Sequence, residues 1–564
     1  MTRRQATKRR SGEAKQGRHS LIGGTAGIWP ALCLLSGAIA VARADDRVVL
    51  WADGKAECRL VPPRGDERAA RLVESTVATY LRSSFGVDVP VAADATEAGT
   101  YIVAGAPANN PLLARLVGEG AKPLSEAVGE EGFQILTHEA VPCRYVILYG
   151  KGPRALKHAC QELLFYRIAA TAGRGEIDWP LNVTMKPAFA YRGIYMLPCW
   201  SVYDSLASWQ RVLRFNSELT LNRIWFWLDG FPVAGHPPVT NIADQKGPLD
   251  SSALASDRNV QELIDLTNAQ DMKFYIGGGW MSWHHERVVG KDPVKAREFY
   301  LAYLRTFRGV GGFYFEPTGE GEEVRDWRPE CDSLREFITS LLEERPAFEC
   351  AVAIGKFNNT EYLKLMSRLD PKRVYWWWCW GDPFRDKALD IYPSILRWHT
   401  IKRMSDYHGS MDPPLPAERP LAGVVTSYDP GMGFGNPWNG WGRLGTDKPR
   451  DFDPYDIPYF GHEYFFRERC WNPEMSEADF VRRLHRRLFD ADCPPEAGER
   501  YWRLTQIVLQ VNARGKPDGG ELSAVGEFLA AMRHRRVTPR TADTLARMEA
   551  AMHHLRPASR NAPR

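Results

Sequence analysis

The sequence predicts an α/β protein built around a (β/α)8 TIM barrel, which follows a small α/β sandwich domain and precedes a helical C-terminal region. Three observations predict this fold class. From about residue 190, apolar and aromatic runs alternate with helical stretches, the pattern of a parallel sheet that helices cover. Before that point, short β-rich runs alternate with helices, and after residue 472 the pattern is helical. No glycine-rich phosphate loop follows the first barrel strand, which argues against an open dinucleotide-binding sheet.

Composition and charge exclude several classes of protein. The chain has 564 residues, of which 44% are hydrophobic and 25% charged, with a mean hydropathy of −0.37, so it is neither disordered nor a polytopic membrane protein. The net charge of +4 is uneven, because residues 1–44 carry a net of +7 and the remaining residues sum to −3. A nucleic-acid partner is therefore not predicted, since phosphate binding needs a clustered cationic face on the folded domain.

The first 44 residues have the organisation of an export signal. An uncharged stretch over residues 21–42 follows a long basic segment and ends in Ala42-Arg43-Ala44, the small-x-small form that a signal peptidase cuts. We predict that residues 1–44 are a signal peptide, and that the mature protein is periplasmic or extracellular and contacts no membrane after cleavage. The alternative is an uncleaved anchor, because the stretch is about long enough to span a bilayer.

The predicted N-terminal α/β domain covers residues 45–185. Its strands are expected at 48–51, 101–105, 132–137 and 145–150, with helices at 67–83 and 155–164. Its end is marked by Trp179-Pro180, because an X-Pro pair favours extended chain.

The predicted barrel covers residues 186–471 and the helical region with its tail covers 472–564. Seven barrel strands are expected at 191–197, 222–228, 273–277, 312–316, 350–354, 373–378 and 423–428, and no eighth strand is evident. In the helical region, Ser476 is a plausible N-cap with Asp479 three residues later. The oligomeric state is left open.

Acidic residues follow three of the predicted barrel strands. Because barrel enzymes place catalytic groups at the carboxyl ends of their strands, Glu320, Glu322, Asp382 and Asp429 are the candidate catalytic residues. Glu320 lies between two glycines, which allow a tight backbone approach. Paired carboxylates across a pocket are the machinery of glycoside hydrolysis. The alternatives are a solvated acidic loop and, for each Asp-Pro, a simple turn.

Tryptophan is concentrated in the barrel region, where 15 of the 19 tryptophans lie between residues 200 and 471. Many must belong to the core, but those at strand ends could offer flat apolar faces to sugar rings. The candidate substrate-binding residues are Trp227, Trp280, Trp283, Trp378, Trp380 and Trp438, together with Arg192.

Neither a metal site nor a cofactor is predicted. His284, His285 and Glu286 are adjacent, but adjacent side chains point in different directions and no further ligand is spaced with them. Hydrogen bonding or surface exposure is therefore the better interpretation. The ten cysteines include no CxxC pair and are expected to be mostly buried small hydrophobes, with one or two bridges as an alternative.

Three segments resemble glycoside hydrolases in which a small α/β domain precedes a catalytic barrel. These segments are the strand-to-helix passage at 149–164, the barrel entry Tyr191-Arg192-Gly193-Ile194-Tyr195, and Thr318-Gly319-Glu320-Gly321-Glu322 after the fourth strand. Over residues 47 to about 490, the chain resembles the α-glucuronidases of family 67 and then the β-N-acetylhexosaminidases of families 20 and 84.

The resemblance implies roles for individual residues. The segment around Glu320 is similar to the Asn-Ser-Glu-Gly-Gln segment of the α-glucuronidases, which implies that Glu320 is the general acid. That family places an Asp after strand six, which Asp382 matches, and a Glu after strand seven, from which Asp429 departs. The expected function is an exported, α-glucuronidase-like glycoside hydrolase with a carbohydrate substrate. The alternatives are a β-N-acetylhexosaminidase-like enzyme and a non-catalytic barrel that binds glycans.

Overall fold

The computed structural model of the chain describes residues 47–122, 124–196, 205–227, 256–282, 285–317, 328–353, 364, 367–378, 390–400, 421–428, 453–457, 459–514 and 519–555. The predicted fold class is confirmed: eight parallel strands close into a barrel, one antiparallel and one mixed sheet precede it, and helices follow it.

The described part of the N-terminal region contains two sheets and three α-helices. Its strands are β1 (Arg47–Ala52), β2 (Lys55–Ala56), β3 (Cys58–Val61), β4 (Gly99–Gly105), β5 (Phe133–Ala140), β6 (Cys143–Tyr149), β7 (Ile168–Thr171), β8 (Arg174–Asp178) and β9 (Asn182–Met185). The helices are α1 (Glu67–Phe85), α2 (Pro111–Gly118) and α3 (Pro153–Glu162), and α3 continues into a π-helical turn, Leu163–Arg167. The sheets have the orders β2-β1-β8-β7 and β3-β4-β6-β5-β9.

Helices cover both faces of the five-stranded sheet. Apolar residues of α1 and α3 pack against one face, and those of α2 pack against the other. Helix α1 begins where the Asp66 side chain accepts a hydrogen bond from the Ala69 amide at 3.0 Å, a cap worth about 1 kcal/mol. It ends at Gly86, whose φ of 71° is left-handed and suits a residue without a Cβ.

The barrel strands are β10 (Tyr191–Met196), β11 (Arg223–Trp227), β12 (Lys273–Gly279), β13 (Val310–Glu316), β14 (Glu349–Ala353), β15 (Val374–Trp378), β16 (Ile395–Thr400) and β17 (Gly423–Tyr428), hydrogen-bonded in that order with β17 closing on β10. The described helices that surround them are α4 (Leu206–Glu218), α5 (Asp257–Ala269), α6 (His285–Val289), α7 (Pro293–Thr306), α8 (Arg328–Glu344) and α9 (Tyr459–Trp471).

The seventh barrel strand is the one that the sequence did not reveal. It is β16, which pairs in parallel with β15 on one side and with β17 on the other. Only Ile395, Leu396 and Trp398 of its six residues are apolar, and Arg397 and His399 interrupt them. The strand expected as the seventh, at 423–428, is therefore the eighth, and Asp429 follows strand eight rather than strand seven.

Aromatic side chains fill the middle of the barrel. Strand residues alternate between the outer face and the interior, and the interior cluster contains Tyr191, Tyr195, Trp225, Trp227, Tyr275, Tyr314 and Trp377. At the amino-terminal end, Glu349 forms ion pairs with Arg223 and Lys273. Burial alone would raise the pKa of Glu349, but the two cations outweigh it and hold that pKa at about 2. The barrel is thus a packed core with an ionic base.

The N-terminal region contacts the barrel near the amino-terminal ends of its strands. Arg192, in β10, forms an ion pair with Glu131 at 2.6 Å, and its guanidinium also donates to the Thr220 carbonyl at 2.9 Å. Lys157, in α3, donates to Ser217 Oγ at 2.6 Å and to the Gln270 carbonyl at 2.9 Å. The contacts of Lys157 join α3 to the last turn of α4 and to the turn that precedes β12.

The C-terminal region consists of α10 (Glu477–Leu488), α11 (Ala497–Arg514), α12 (Gly519–Met532) and α13 (Pro539–Leu555). The predicted N-cap is confirmed, because Ser476 Oγ accepts a hydrogen bond from the Asp479 amide at 3.1 Å. The seven cysteines in the described part of the chain are buried, as expected for small hydrophobes.

Candidate active site

Glu316 is the last residue of β13, the fourth barrel strand. Phe313 and Phe315 belong to the core outside the barrel, whereas Tyr314 belongs to the interior cluster. Because side chains alternate along a strand, Glu316 follows Tyr314 onto the interior face. A carboxyl group therefore lies at the carboxyl end of the barrel, where barrel enzymes carry their chemistry.

Two segments of the barrel, the end of β10 and the loop after β12, hold Glu316. The hydroxyl of Tyr195, near the end of β10, donates to Glu316 Oε1 at 3.3 Å across the barrel interior. The main-chain carbonyl of Glu316 accepts from the Trp280 amide at 3.1 Å and from Ser282 Oγ at 2.5 Å. The loop after β12 thus fixes the backbone of Glu316, and β10 supplies a partner for its carboxylate.

The surface beneath this carboxylate is aromatic and almost completely buried. Tyr195 is 4% exposed, and its ring lies 5.4 Å from Tyr314, 5.6 Å from Trp377 and 6.3 Å from Trp227. Trp225 stacks on Tyr314 at 5.3 Å below them. Such a floor lowers the local dielectric constant, so that hydrogen bonds to a charged group above it are stronger than in water.

The three glycines that end β12 leave room for this arrangement. A Cβ on Gly277 would lie 2.1 Å from the Tyr314 carbonyl oxygen, and one on Gly278 would lie 2.2 Å from the ring of His285. Nδ1 of that buried histidine accepts a hydrogen bond from the Gly279 amide at 2.9 Å. The glycines therefore serve close packing beside Glu316.

One tyrosine outside the barrel supports the same strand ends. Tyr300, in α7, donates to the Gly279 carbonyl at 3.0 Å. Burial raises the pKa of Tyr300 well above its usual value, with smaller contributions from Tyr303 and Glu316. Its hydroxyl stays protonated and keeps its role as a donor.

An interior carboxylate above an aromatic floor suits acid–base or electrostatic chemistry on a ligand that stacks on apolar faces. Glycoside hydrolysis requires carboxyl groups of this kind, one of which donates a proton while another serves as base or nucleophile. Within the described ranges, no group of three or more His, Cys, Asp or Glu residues is placed to hold a metal ion.

Most of the sequence-predicted site residues lie outside the described residues. These are Glu320, Glu322, Asp382, Asp429, Trp283, Trp380 and Trp438. Trp378 ends β15, but its side chain is not among those described. The loops that carry Glu320, Asp382 and Asp429 nevertheless follow β13, β15 and β17, so all three residues follow carboxyl ends of barrel strands. Their catalytic roles stay predictions.

Three candidate substrate-binding residues are described, and all three are buried. Arg192 is fully buried in its ion pair with Glu131 near the amino-terminal end of β10, away from the strand ends at which Glu316 lies. Trp280 is fully buried outside the barrel, where it stacks on Phe337 at 5.2 Å and donates to Ser333 at 3.1 Å. These contacts give both residues structural roles.

Trp227 is the one described candidate that lies beside Glu316. It ends β11, is 4% exposed, and its ring contacts Tyr195 and His285 at 6.3 and 5.7 Å. It belongs to the interior aromatic cluster and lies at the end of its strand, as Glu316 does.

Sequence reasoning did not select Glu316, although it identified the strand that ends at this residue. The signal was the alternation Phe313, Tyr314, Phe315, Glu316, in which every second residue shares a face. Without knowing which face is interior, the alternation does not distinguish an inward carboxylate from an outward one.

None of the described helices combines the length and the apolar composition that are needed to cross a lipid bilayer.

Comparisons with known proteins establish the fold. No protein-family model and no curated protein sequence matches the chain. A GH138 enzyme targeting pectin rhamnogalacturonan II is 11% identical with a TM-score of 0.53, over 88% of this chain and 85% of that chain. CpGH84B is 12% identical with a TM-score of 0.50, over 91% and 90%. An inactive mutant of the GH20 exo β-N-acetylglucosaminidase from Vibrio harveyi is 12% identical with a TM-score of 0.50, over 83% and 75%. At these identities the likeness shows that the chain shares their fold, a barrel with flanking domains.

Proposed function

We propose that the protein is a glycoside hydrolase whose active site lies at the carboxyl end of the barrel. The observation that carries this proposal is Glu316, an interior carboxylate at the end of the fourth strand, held by Tyr195 above an aromatic floor. The three proteins that share the fold have glycoside hydrolase designations in their names, which supports the same reaction class.

The proposed reaction uses more than one carboxyl group. Glu320, four residues after Glu316, donates a proton to the leaving oxygen, and Asp382 or Asp429 activates water from the opposite side, with Glu322 as a further acidic candidate. Glu316 supplies negative charge beneath the sugar as the positively charged transition state develops. The α-glucuronidase-like specificity rests on the similarity of the segment around Glu320.

A substrate screen with identification of the released sugar tests this function. Purified protein is incubated with α-glucuronides, β-N-acetylhexosaminides and other glycosides, and NMR assigns the anomer that is released first. The proposal predicts hydrolysis of at least one class, and a loss of turnover of about 10²-fold or more in Glu320→Gln. The exposed Glu343, in α8, provides the matched control Glu343→Gln.

Three outcomes of these experiments would change the proposal. Wild-type turnover in Glu320→Gln would remove this residue from the acid role. Binding of oligosaccharides in calorimetry without release of any sugar would favour the alternative of a non-catalytic glycan-binding barrel. Preferential hydrolysis of β-N-acetylhexosaminides would replace the α-glucuronidase-like specificity by the other predicted one.

Export is the second part of the proposal, and it rests on residues 1–44 alone. Expression of the full chain in a bacterial host should give a mature protein that begins at Asp45 in the periplasm or the medium, because cleavage is expected after Ala44. N-terminal sequencing of the fractionated protein tests this. Retention of residues 1–44 in the membrane fraction would favour the anchor.

A further inference from the structure

The contact between Tyr195 and Glu316 joins two strands that are not neighbours in the barrel. Tyr195 lies on the first strand and Glu316 ends the fourth, and the sheet order places β11 and β12 between them. The phenol therefore reaches the carboxylate across the interior rather than along the sheet. Oε1 of Glu316 accepts its hydrogen bond at 3.3 Å.

The ring of Tyr195 has little freedom to leave this position. Four aromatic rings surround it at centroid distances between 5.4 and 6.5 Å: those of Trp225, Trp227, Tyr314 and Trp377. The main chain of Glu316 is fixed independently by Trp280 and Ser282. Both partners of the hydrogen bond are thus held before any ligand arrives, which is the geometry of a preorganised site.

We propose that Tyr195 is a positioning residue of the reaction: its phenol holds the Glu316 carboxylate in its ionised form and in one orientation at the barrel mouth. The inference rests on the proposed function and deepens it. A hydroxyl that donates to a carboxylate oxygen favours the charged form, and the surrounding aromatic rings strengthen that effect. At 3.3 Å this hydrogen bond is long, as catalytic hydrogen bonds often are before substrate binds and tightens them.

The pH dependence of kcat/KM tests this role. In Tyr195→Phe the ring and its packing remain, but the donor is lost, so Glu316 ionises at higher pH. The acid limb of the profile should move upward by about one pH unit. The matched control is Tyr191→Phe on the same strand, whose hydroxyl accepts from Trp225 Nε1 at 2.7 Å instead of contacting Glu316. This control should lose stability without moving the limb.

Two results would overturn the positioning role. The first is an acid limb that stays in place in Tyr195→Phe, with a loss of activity no different from that of Tyr191→Phe. The second is an acid limb that moves equally in both variants, since this would report a general change in the barrel interior.

A stability measurement separates this inference from the proposed function. If the wild type hydrolyses no glycoside, the proposed function fails, and the pair is then tested by chemical unfolding of Tyr195→Phe, Glu316→Gln and the double variant between pH 4 and pH 8. The pairing predicts that the two changes are non-additive where the carboxylate is ionised and become additive as the pH falls. Additive effects at every pH would contradict the pairing.

Discussion

Lys157 is a lysine that the fold buries completely between α3 and the barrel. Its amine has two acceptors, Ser217 Oγ and the Gln270 carbonyl, which are the number that a neutral amine can satisfy with its two hydrogens. Burial, with a smaller contribution from nearby Arg154 and against the opposing effect of Asp271, lowers the pKa of Lys157 from 10.5 to about 7. The group therefore loses its charge in the folded protein within the neutral range.

Because the pKa of Lys157 is lowered in the folded protein, we expect the stability of the protein to depend on pH. Above pH 7 and below the pKa of an unfolded lysine, the unfolded chain binds more protons than the folded chain, so the free energy of unfolding rises with pH. The contribution of Lys157 is up to about 1.4 kcal/mol per pH unit. Urea unfolding at pH 7, 8 and 9 should therefore show the wild type gaining stability relative to Lys157→Met. The control is Lys295→Met, because Lys295 is exposed. Plots of the free energy of unfolding against pH should be parallel for this variant and the wild type. Parallel curves for Lys157→Met as well would contradict the neutral amine.

At the scale of single residues, the sequence identified chemistry but not direction. Arg192 and Trp280 carry groups that suit sugar binding, yet both are fully buried in contacts with the rest of the fold. The residues that precede Glu316 in the sequence are apolar and aromatic, as in any buried strand. Whether a strand residue faces the barrel interior depends on the register of the closed sheet, which a single strand does not contain.

The end of β12 shows how one element shapes the candidate site. Gly277 lies against the main chain and ring of Tyr314, and a Cβ would lie 2.1 Å from the Tyr314 carbonyl oxygen. Because that atom belongs to the neighbouring strand, the sheet itself must move to admit a methyl group.

Gly277→Ala is therefore expected to lower the free energy of unfolding by about 1–3 kcal/mol and to reduce turnover, because it displaces the strand that ends in Glu316. Chemical unfolding and kcat/KM measure the two effects. The control is Gly118→Ala at the end of α2, where a Cβ would meet no atom within 4 Å and the helix should be as stable or slightly more so. Equal stability of both variants would show that β13 can shift without cost.

At the scale of elements, the sequence located seven of the eight barrel strands because each is a run of apolar and aromatic residues. It missed β16, whose Arg397, His399 and Thr400 interrupt the apolar pattern, although strands on both sides pair with it. These residues form a strand because they pair with the strands on both sides, and their own composition does not indicate a strand. The same omission gave Asp429 the wrong strand number, while leaving it at a strand end.

A single arginine joins the three regions of the molecule. Arg487, in α10, donates to the hydroxyls of Tyr80 in α1 and Tyr464 in α9 at 3.1 and 3.2 Å. It also forms an ion pair with Glu218, the last residue of α4, at 3.0 Å, and its guanidinium lies 3.9 Å from the ring centre of Phe165. The N-terminal region, the barrel and the C-terminal helices thus share one buried cation.

We expect Arg487→Lys to lower the free energy of unfolding by about 2–4 kcal/mol, because an ammonium group cannot reproduce the planar fork that reaches three partners. Chemical unfolding followed by fluorescence and by circular dichroism measures this effect. In the control Arg482→Lys, on the same helix, the side chain is 69% exposed, so a change of less than about 0.5 kcal/mol is expected. Indistinguishable behaviour of the two variants would show that Arg487 does not join the regions.

At the scale of the whole molecule, the contacts that join the N-terminal region to the barrel lie at one end of the barrel, and the candidate site lies at the other. The N-terminal region is joined to the barrel through Glu131, Arg192 and Lys157, near the amino-terminal ends of the barrel strands. Glu316, in contrast, lies at the carboxyl end of β13. The flanking regions can therefore stabilise the barrel without occupying the strand ends that carry Glu316. This division of roles is typical of barrel enzymes, in which stability and chemistry belong to opposite faces.

Cleavage of glycosidic bonds beside Glu316 is tested by measuring kcat/KM of Glu316→Gln on the best substrate of the screen. Glutamine keeps the size of the side chain and can still accept from Tyr195, so the barrel should fold as before. We expect kcat/KM to fall by at least about 10²-fold relative to the wild type, with Glu343→Gln unchanged. Wild-type kcat/KM in a folded Glu316→Gln variant would contradict it.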